Sequence, residues 1–329
     1  MKQDNKAVLP LLCVLLAIVA GLLTFMTVKN LKADETGEVQ TAAAAAYTMP
    51  GAVEYDALNA SLVKVQSKQA KSATYPDGIL ENLKQVYAIN DDVAGRLTIP
   101  GTEMDTVVMQ SDDNEYYLRR DFYDRYTYET SGTNYGNIYL DYRCSNNGYL
   151  DKNTVIHGHT TGRDTGVPKQ SFRSLYDYRD RQHFINCPII RYSTLFGEYT
   201  YKICAVFYST TQPSADNGYF FNYIYPDMSD SNMVGYIEQV KQRALYETGV
   251  SLEPTDKIIT LSTCIYDYGK SVDTRLVVVG RLLHEGESTA IDPALVKDHP
   301  DYRRPQIWYN SKGKTNPYRD SISWQPSPN

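Results

Sequence analysis

From residue 95 onward the chain is a succession of short apolar segments cut by Gly, Pro, Asn and Asp. Little else limits the fold so strongly, because such segments suit strands and are too short for ordinary helices. Eight of them stand out: "GRLTIPG" (95–101), "DTVVMQ" (105–110), "GNIYLD" (136–141), "NTVIHGH" (153–159), "PIIRYST" (188–194), "EYTYKICAVFYS" (198–209), "DKIITLSTC" (256–264) and "TRLVVVGRLL" (274–283). That pattern predicts a mostly β chain folded as an antiparallel barrel or sandwich. One late stretch departs from it. At 231–248, Met233, Tyr236, Ile237, Val240 and Leu245 share a helical face, so a helix is expected just before the seventh strand. Two helices are expected ahead of the strands. One spans 53–69; the other spans 77–89, with Ile79, Leu80, Leu83, Val86 and Tyr87 as its stripe and Asp77 as its cap. No internal repeat is visible.

Composition narrows the function class. Hydrophobic residues make up 42% and charged residues 22%, which excludes disorder throughout. The net charge of −6 provides no basic footprint, so no nucleic-acid partner is expected. Tyrosine outnumbers phenylalanine 29 to 8, which suits a half-wet groove or reflects lineage preference. Residues 8–28, "VLPLLCVLLAIVAGLLTFMTV", carry no charge, and as a helix they would rise ~30 Å, enough to cross a bilayer core. An uncleaved single-pass anchor over residues 1–29 is expected in preference to a cleaved signal peptide, because the run is long for the latter. Lys2 and Lys6 precede it and Lys29 and Lys32 follow, so positive charge sets no orientation.

Cys144, Cys187, Cys204 and Cys264 show no CxxC spacing, so neither a metal cluster nor a redox pair is expected. In "IITLSTC" the two-residue period puts Ser262 and Cys264 on one face, with Cys264 where the strand opens into the polar loop "IYDYGKSVD". A strand end is a good place for a nucleophile, although a buried, inert thiol has the same appearance. A reactive thiol needs an imidazole, and "VIHGHT" offers His157 and His159 at another strand end. Arg275 opens the next strand, and antiparallel pairing would bring it to the same end of the sheet as Cys264. An arginine on an otherwise apolar strand calls for an anionic or carbonyl partner.

Together, "TLSTC" followed by Arg275, a preceding strand ending in Gly-His and an N-terminal apolar run resemble a sortase. The segments "AGRLTIPGTEMDTVVMQSDDNEYYLRRDF" and "GNIYLDYR", the extra N-terminal helices and the inserted late helix are similar to class B members. The resemblance covers most of 77–283 and implies an eight-stranded sortase barrel with N-terminal helices and a helix before the nucleophile strand. It implies the division 1–29 anchor, 30–76 stalk and N-terminal helix, 77–283 catalytic domain, and 284–329 polar tail. It also implies a cysteine transpeptidase without cofactor or metal, held at the cell membrane of a Gram-positive bacterium with its catalytic domain outside. Cys264 would attack the threonine carbonyl of a C-terminal sorting signal, of the Asn-Pro-x-Thr type favoured by class B. His159 would be general acid and base, and Arg275 would hold the substrate or the oxyanion. An amine from a peptidoglycan precursor or a pilin lysine would then take the surface protein or pilin.

His157 stands where the family often has Tyr or Ala, so both imidazoles are candidates for the cleft. Asp267 and Asp273 could orient the histidine or be exposed loop acids, and Ser262 could support the site. A membrane-tethered cysteine hydrolase with water as acceptor, or a non-catalytic scaffold, would share these residues. The tail contains both tryptophans, Trp308 and Trp324, which leads to the expectation that it docks on the barrel or on a partner.

Overall fold

The computed structural model describes residues 74–127, 136–160, 171–268 and 274–327. The expected anchor, the first helix and all but the end of the stalk lie outside the described residues. No helix among the described residues is long and apolar enough to cross a membrane.

All eight expected strands are present, and they close into one barrel. They are β1 (Val93–Thr98), β2 (Asp105–Met109), β3 (Tyr139–Leu140), β4 (Asn153–Gly158), β5 (Ile189–Thr194), β6 (Glu198–Ser209), β8 (Ile258–Ile265) and β9 (Thr274–Leu282). The order around the barrel is β1-β2-β3-β4-β8-β9-β6-β5, with β1 pairing back to β5. The pairs β2–β3 and β4–β8 are parallel and the others antiparallel.

The apolar runs of β8 and β9 follow from burial on both faces. Ile259, Leu261, Leu276 and Val278 belong to the main core, whereas Ile258, Val277 and Val279 face a second cluster with Phe207, Phe221 and Tyr236. Helix α3 (Asp230–Arg243) covers that second cluster with Met233, Tyr236, Ile237 and Val240. Each such side chain contributes about 1.5–3 kcal/mol when fully buried. The Ser229 hydroxyl caps the helix by accepting from Asn232 N–H at 3.2 Å.

The late helix is shorter than expected. It stops at Arg243 because Leu245 N–H donates to the Val206 carbonyl at 2.8 Å, and Tyr246–Glu247 then forms β7 against β10 (Lys297–Asp298). Helix α1 runs Glu81–Tyr87, not from 77, and no side chain caps it. Leu80 N–H is taken by the Leu195 carbonyl at 2.7 Å, which ties the preceding turn to the β5–β6 connection. The 3-10 segment Phe172–Arg179, helix α2 (Arg181–Asn186) and helix α4 (Gln306–Ser311) were not anticipated, being too short to carry a clear period.

The tail docks on the barrel. Trp324 packs against Phe221 and Tyr236 at ring separations of 5.4 and 5.9 Å. It lies over Gly235 so closely that any Cβ there would collide with the indole nitrogen. Asn232 and Ser327 exchange two hydrogen bonds of 2.9 Å near the end of the tail.

Candidate active site

The candidate residues come together through strand register. Cys264 is directly opposite Arg275 across the β8–β9 pair. On the other side of β8, the parallel β4 pairing ends with Gly158 beside Thr263, and one step further along each strand come His159 and Cys264. Period-two alternation puts His157 and His159 on one face of the sheet, with Ser262 and Cys264 on the same face of β8. Three neighbouring strand ends therefore present an imidazole, a thiol and a guanidinium side by side.

Close packing explains the glycine between the two histidines. A Cβ at Gly158 would lie 2.7 Å from the Phe172 ring and 3.1 Å from Ile138, closer than carbon atoms pack. The Thr263 hydroxyl donates to the Gly158 carbonyl at 2.8 Å, and the Thr160 hydroxyl donates to the Cys264 carbonyl at 2.7 Å. These bonds lock the end of β4 to the end of β8, so the backbone under His159 and Cys264 is held on both sides.

The two imidazoles have different fates. His159 Nε2 lies 2.7 Å from the Leu118 carbonyl, which can only accept, so Nε2 carries the proton and Nδ1 is the basic nitrogen. Burial pushes the His159 pKa below the ordinary imidazole value, and the Arg275 charge acts in the same direction against the Leu118 bond. The ring is thus kept neutral, able to accept a proton. His157 instead donates Nε2–H to Asp141 Oδ2 at 2.9 Å and tilts over Tyr139 at 5.3 Å.

Asp141 is fully buried and also accepts from Arg143 Nε at 2.8 Å, Arg143 Nη2 at 2.9 Å and Asn114 Nδ2 at 3.0 Å. Burial disfavours its charge, but the bonds from Arg143 and His157 outweigh that and hold the carboxyl far below its usual range. Arg143 in turn donates to the Ile224 carbonyl at 2.8 Å. His157 therefore belongs to a network tying β3 and β4 to the loop before α3.

The remaining candidates are engaged elsewhere. Ser262 Oγ lies 2.9 Å from the Tyr223 hydroxyl and is 4% exposed, so it holds that same loop. Asp267 pairs with Arg179 at 2.9 Å and does not orient His159, whose ring partner is the Leu118 carbonyl. Asp273 lies outside the described residues.

Sequence reasoning missed several members of the site. Tyr139 and Tyr266 flank it: burial raises both phenol pKa values, and Cys264 and Arg275 act electrostatically on each. The Tyr176 hydroxyl reaches the Cys264 carbonyl at 3.5 Å and accepts from Tyr266 N–H at 3.2 Å. Leu118 contributes through its backbone alone, which leaves no trace in side-chain identity. Thr160, next to His159, was the one member open to discovery from sequence.

No protein-family model matches the chain. Sortase B of Listeria monocytogenes is 33% identical over 221 residues, covering 67% of this chain and 81% of the relative. Sortase B of Staphylococcus aureus is 26% identical over 226 residues, covering 68% and 84%. A crystal structure of Staphylococcus aureus sortase B superposes with a TM-score of 0.53 at 25% identity, covering 70% of this chain and 97% of that one. A shared closed barrel and one-third identity across most of the Listeria protein lead to one conclusion: this chain belongs to the sortase B family of cysteine transpeptidases.

Proposed function

We propose that Cys264 is the nucleophile of this transpeptidase, His159 its general acid and base, and Arg275 the group that holds the substrate carbonyl or the oxyanion. The observation that carries this reading is the meeting of the three residues at adjacent ends of β4, β8 and β9. The Cys264 thiol gives its proton to His159 Nδ1 and its sulfur attacks a threonine carbonyl in a C-terminal sorting signal, forming a tetrahedral oxyanion beside Arg275. Collapse expels the amine of the following residue, which takes a proton through His159, and leaves a thioester. An incoming amine then loses a proton to His159 Nδ1 and attacks the thioester, and the released Cys264 sulfur takes that proton back. The donor is a surface protein or pilin, and the acceptor is a peptidoglycan precursor or a pilin lysine. The same reading has residues 8–28 cross the cell membrane and anchor 77–283 on its outer side, with 30–76 as the stalk. The charge-free length of that run supports it.

The test incubates the protein with a panel of Asn-Pro-x-Thr-type signal peptides, with and without amines, followed by mass spectrometry. A thioester on Cys264 that amines resolve to an amide product is expected, and Cys264→Ala should yield none. A thioester resolved only by water would make the enzyme a hydrolase. No adduct with any peptide would remove the assignment of Cys264.

A further inference from the structure

The tail after β9 crosses the barrel and returns to the same end as Cys264. It is fastened before that point and after it. Glu287 accepts from Arg281 at 2.6 and 2.7 Å and from Lys202 at 3.1 Å. Those hydrogen bonds, Arg281 foremost, bring its pKa down to about 2. Further on, His299 Nδ1 donates to the Ala244 carbonyl at 2.8 Å, and Arg303 N–H donates to the Gln242 carbonyl at 2.7 Å. Beyond these, Gln306 N–H donates to the buried Asp216 at 2.6 Å, and Trp324 closes over Gly235. Tyr302 lies between these fastenings, so its position is dictated from both sides.

Its ring is 6.4 Å from Tyr208, the penultimate residue of β6, and Tyr208 meets Tyr268 edge-on at 5.9 Å. Tyr268 lies just beyond the end of β8, in the connection that leaves Cys264. Both Tyr268 and Tyr302 pack on the main core. Arg304 caps the stack from outside, with its guanidinium 3.7 Å from the Tyr302 ring. Residues 266–268 are also gripped by the 3-10 segment, through Arg179 to Asp267 and through Tyr176 to Tyr266 and the Cys264 carbonyl. Among the described residues of this connection, Asp267 pairs with Arg179 and Tyr268 packs on Tyr208, both distant in the chain.

We propose that the C-terminal segment is a working part of the catalytic end, and that Tyr302 is a positioning residue. Through Tyr208 and Tyr268 it clamps the start of the β8–β9 connection, and so fixes where Cys264 stands relative to His159 and Arg275. The proposal rests on Cys264 being the nucleophile. The barrel strands pair with one another without Tyr302, whereas among the described residues of the connection Tyr268 is held through Tyr208, on which Tyr302 packs. Small displacements of reacting groups are costly, about 10²-fold for ~1 Å.

The test uses the full chain with Tyr302→Ala, Tyr302→Phe and, as a second loosening of the tail away from the clamp, Trp324→Ala. Hydrogen exchange is followed on the peptide containing 265–268, and acylation kinetics are measured with the Asn-Pro-x-Thr-type peptide that reacts best with the unaltered protein. Tyr302→Ala should speed exchange at 266–268 and lower the acylation rate about 10- to 100-fold. Its global unfolding midpoint should stay near that of the unaltered chain, and Tyr302→Phe, which keeps the ring, should restore both readouts. Trp324→Ala should leave exchange at 266–268 within about twofold. Unchanged exchange in Tyr302→Ala would overturn the clamp, as would a loss of rate that follows the unfolding midpoint and that phenylalanine does not restore. If the unaltered protein forms no adduct at Cys264, the nucleophile assignment fails, while the exchange arm still decides whether Tyr302 holds the connection.

Discussion

His157 and His159 stand on one strand with a single glycine between them, and their surroundings are opposites. His157 meets a buried carboxylate that is already bonded to Arg143 and Asn114, so its ring completes a saturated polar network. His159 has a backbone carbonyl for one nitrogen and, two strands away, a guanidinium that disfavours its protonation. His157 is thereby tied through Asp141 to Arg143 and Asn114, which makes its ring part of the scaffold. A ring held by one nitrogen and kept neutral retains the other nitrogen for chemistry. The glycine enforces the division, since it lets Phe172 pack beneath the strand while both rings stay on the outer face.

The comparison breaks most directly by removing each ring in turn. His159→Ala should lower the acylation rate by about 10²–10⁴-fold with little change in unfolding midpoint. His157→Ala should keep most of the rate and lose about 1–3 kcal/mol of stability, because Asp141 loses a buried donor. Rapid-quench acylation together with thermal unfolding reads both, and the reverse pattern would exchange the two assignments. Asp141→Ala probes the network from its centre. It leaves Arg143 without its carboxylate and should cost about 3–5 kcal/mol in urea unfolding. Gly158→Ala sharpens the role of the spacer. Overpacking against Phe172 should cost about 1–3 kcal/mol and displace both rings, so rate and stability fall together.

The smallest expected effect is in pH. The folded-state pKa of His159 lies below its unfolded value, so the unfolded chain binds more protons and stability falls with acidification. The contribution is present above the ordinary imidazole value of about 6.5 and is lost as pH drops through it towards the lowered folded value. The stability of the unaltered chain relative to His159→Gln should therefore fall from pH 7 to pH 5 in denaturant titrations. A relative stability that is flat or rises would mean that the ring is not held neutral.

Much of this was legible in the sequence because strands announce themselves locally. The apolar runs ending at Cys264 and beginning at Arg275 were enough to predict that the two residues share one end of a sheet, and their register bears that out. The choice of His159 over His157 rested on resemblance, and the physical distinction between them is long-range. It depends on Asp141 and Leu118, residues that local periodicity does not connect to either histidine. Asp267 was plausible as an orienting acid only while Arg179 was unseen. The end of helix α3 was misjudged because apolar spacing continues through Leu245, while the hydrogen bonds that end the helix come from β6 and the tail. The tryptophans of the tail signalled docking, but nothing local revealed that Tyr302 would reach the loop after Cys264.

The parallel pairing of β4 with β8 also bears on when the protein becomes reactive. Thr160 and the Cys264 carbonyl, which it holds, are 104 positions apart. Contacts of that separation carry a large loop-closure cost and form late, after hairpins such as β8–β9 have zipped. During folding, Cys264 is therefore expected to meet Arg275 before it meets His159. On the proposed assignment of nucleophile and base, the pair is assembled only when β4 joins β8, so a half-folded chain would pass through the crowded stages of its maturation without an armed nucleophile.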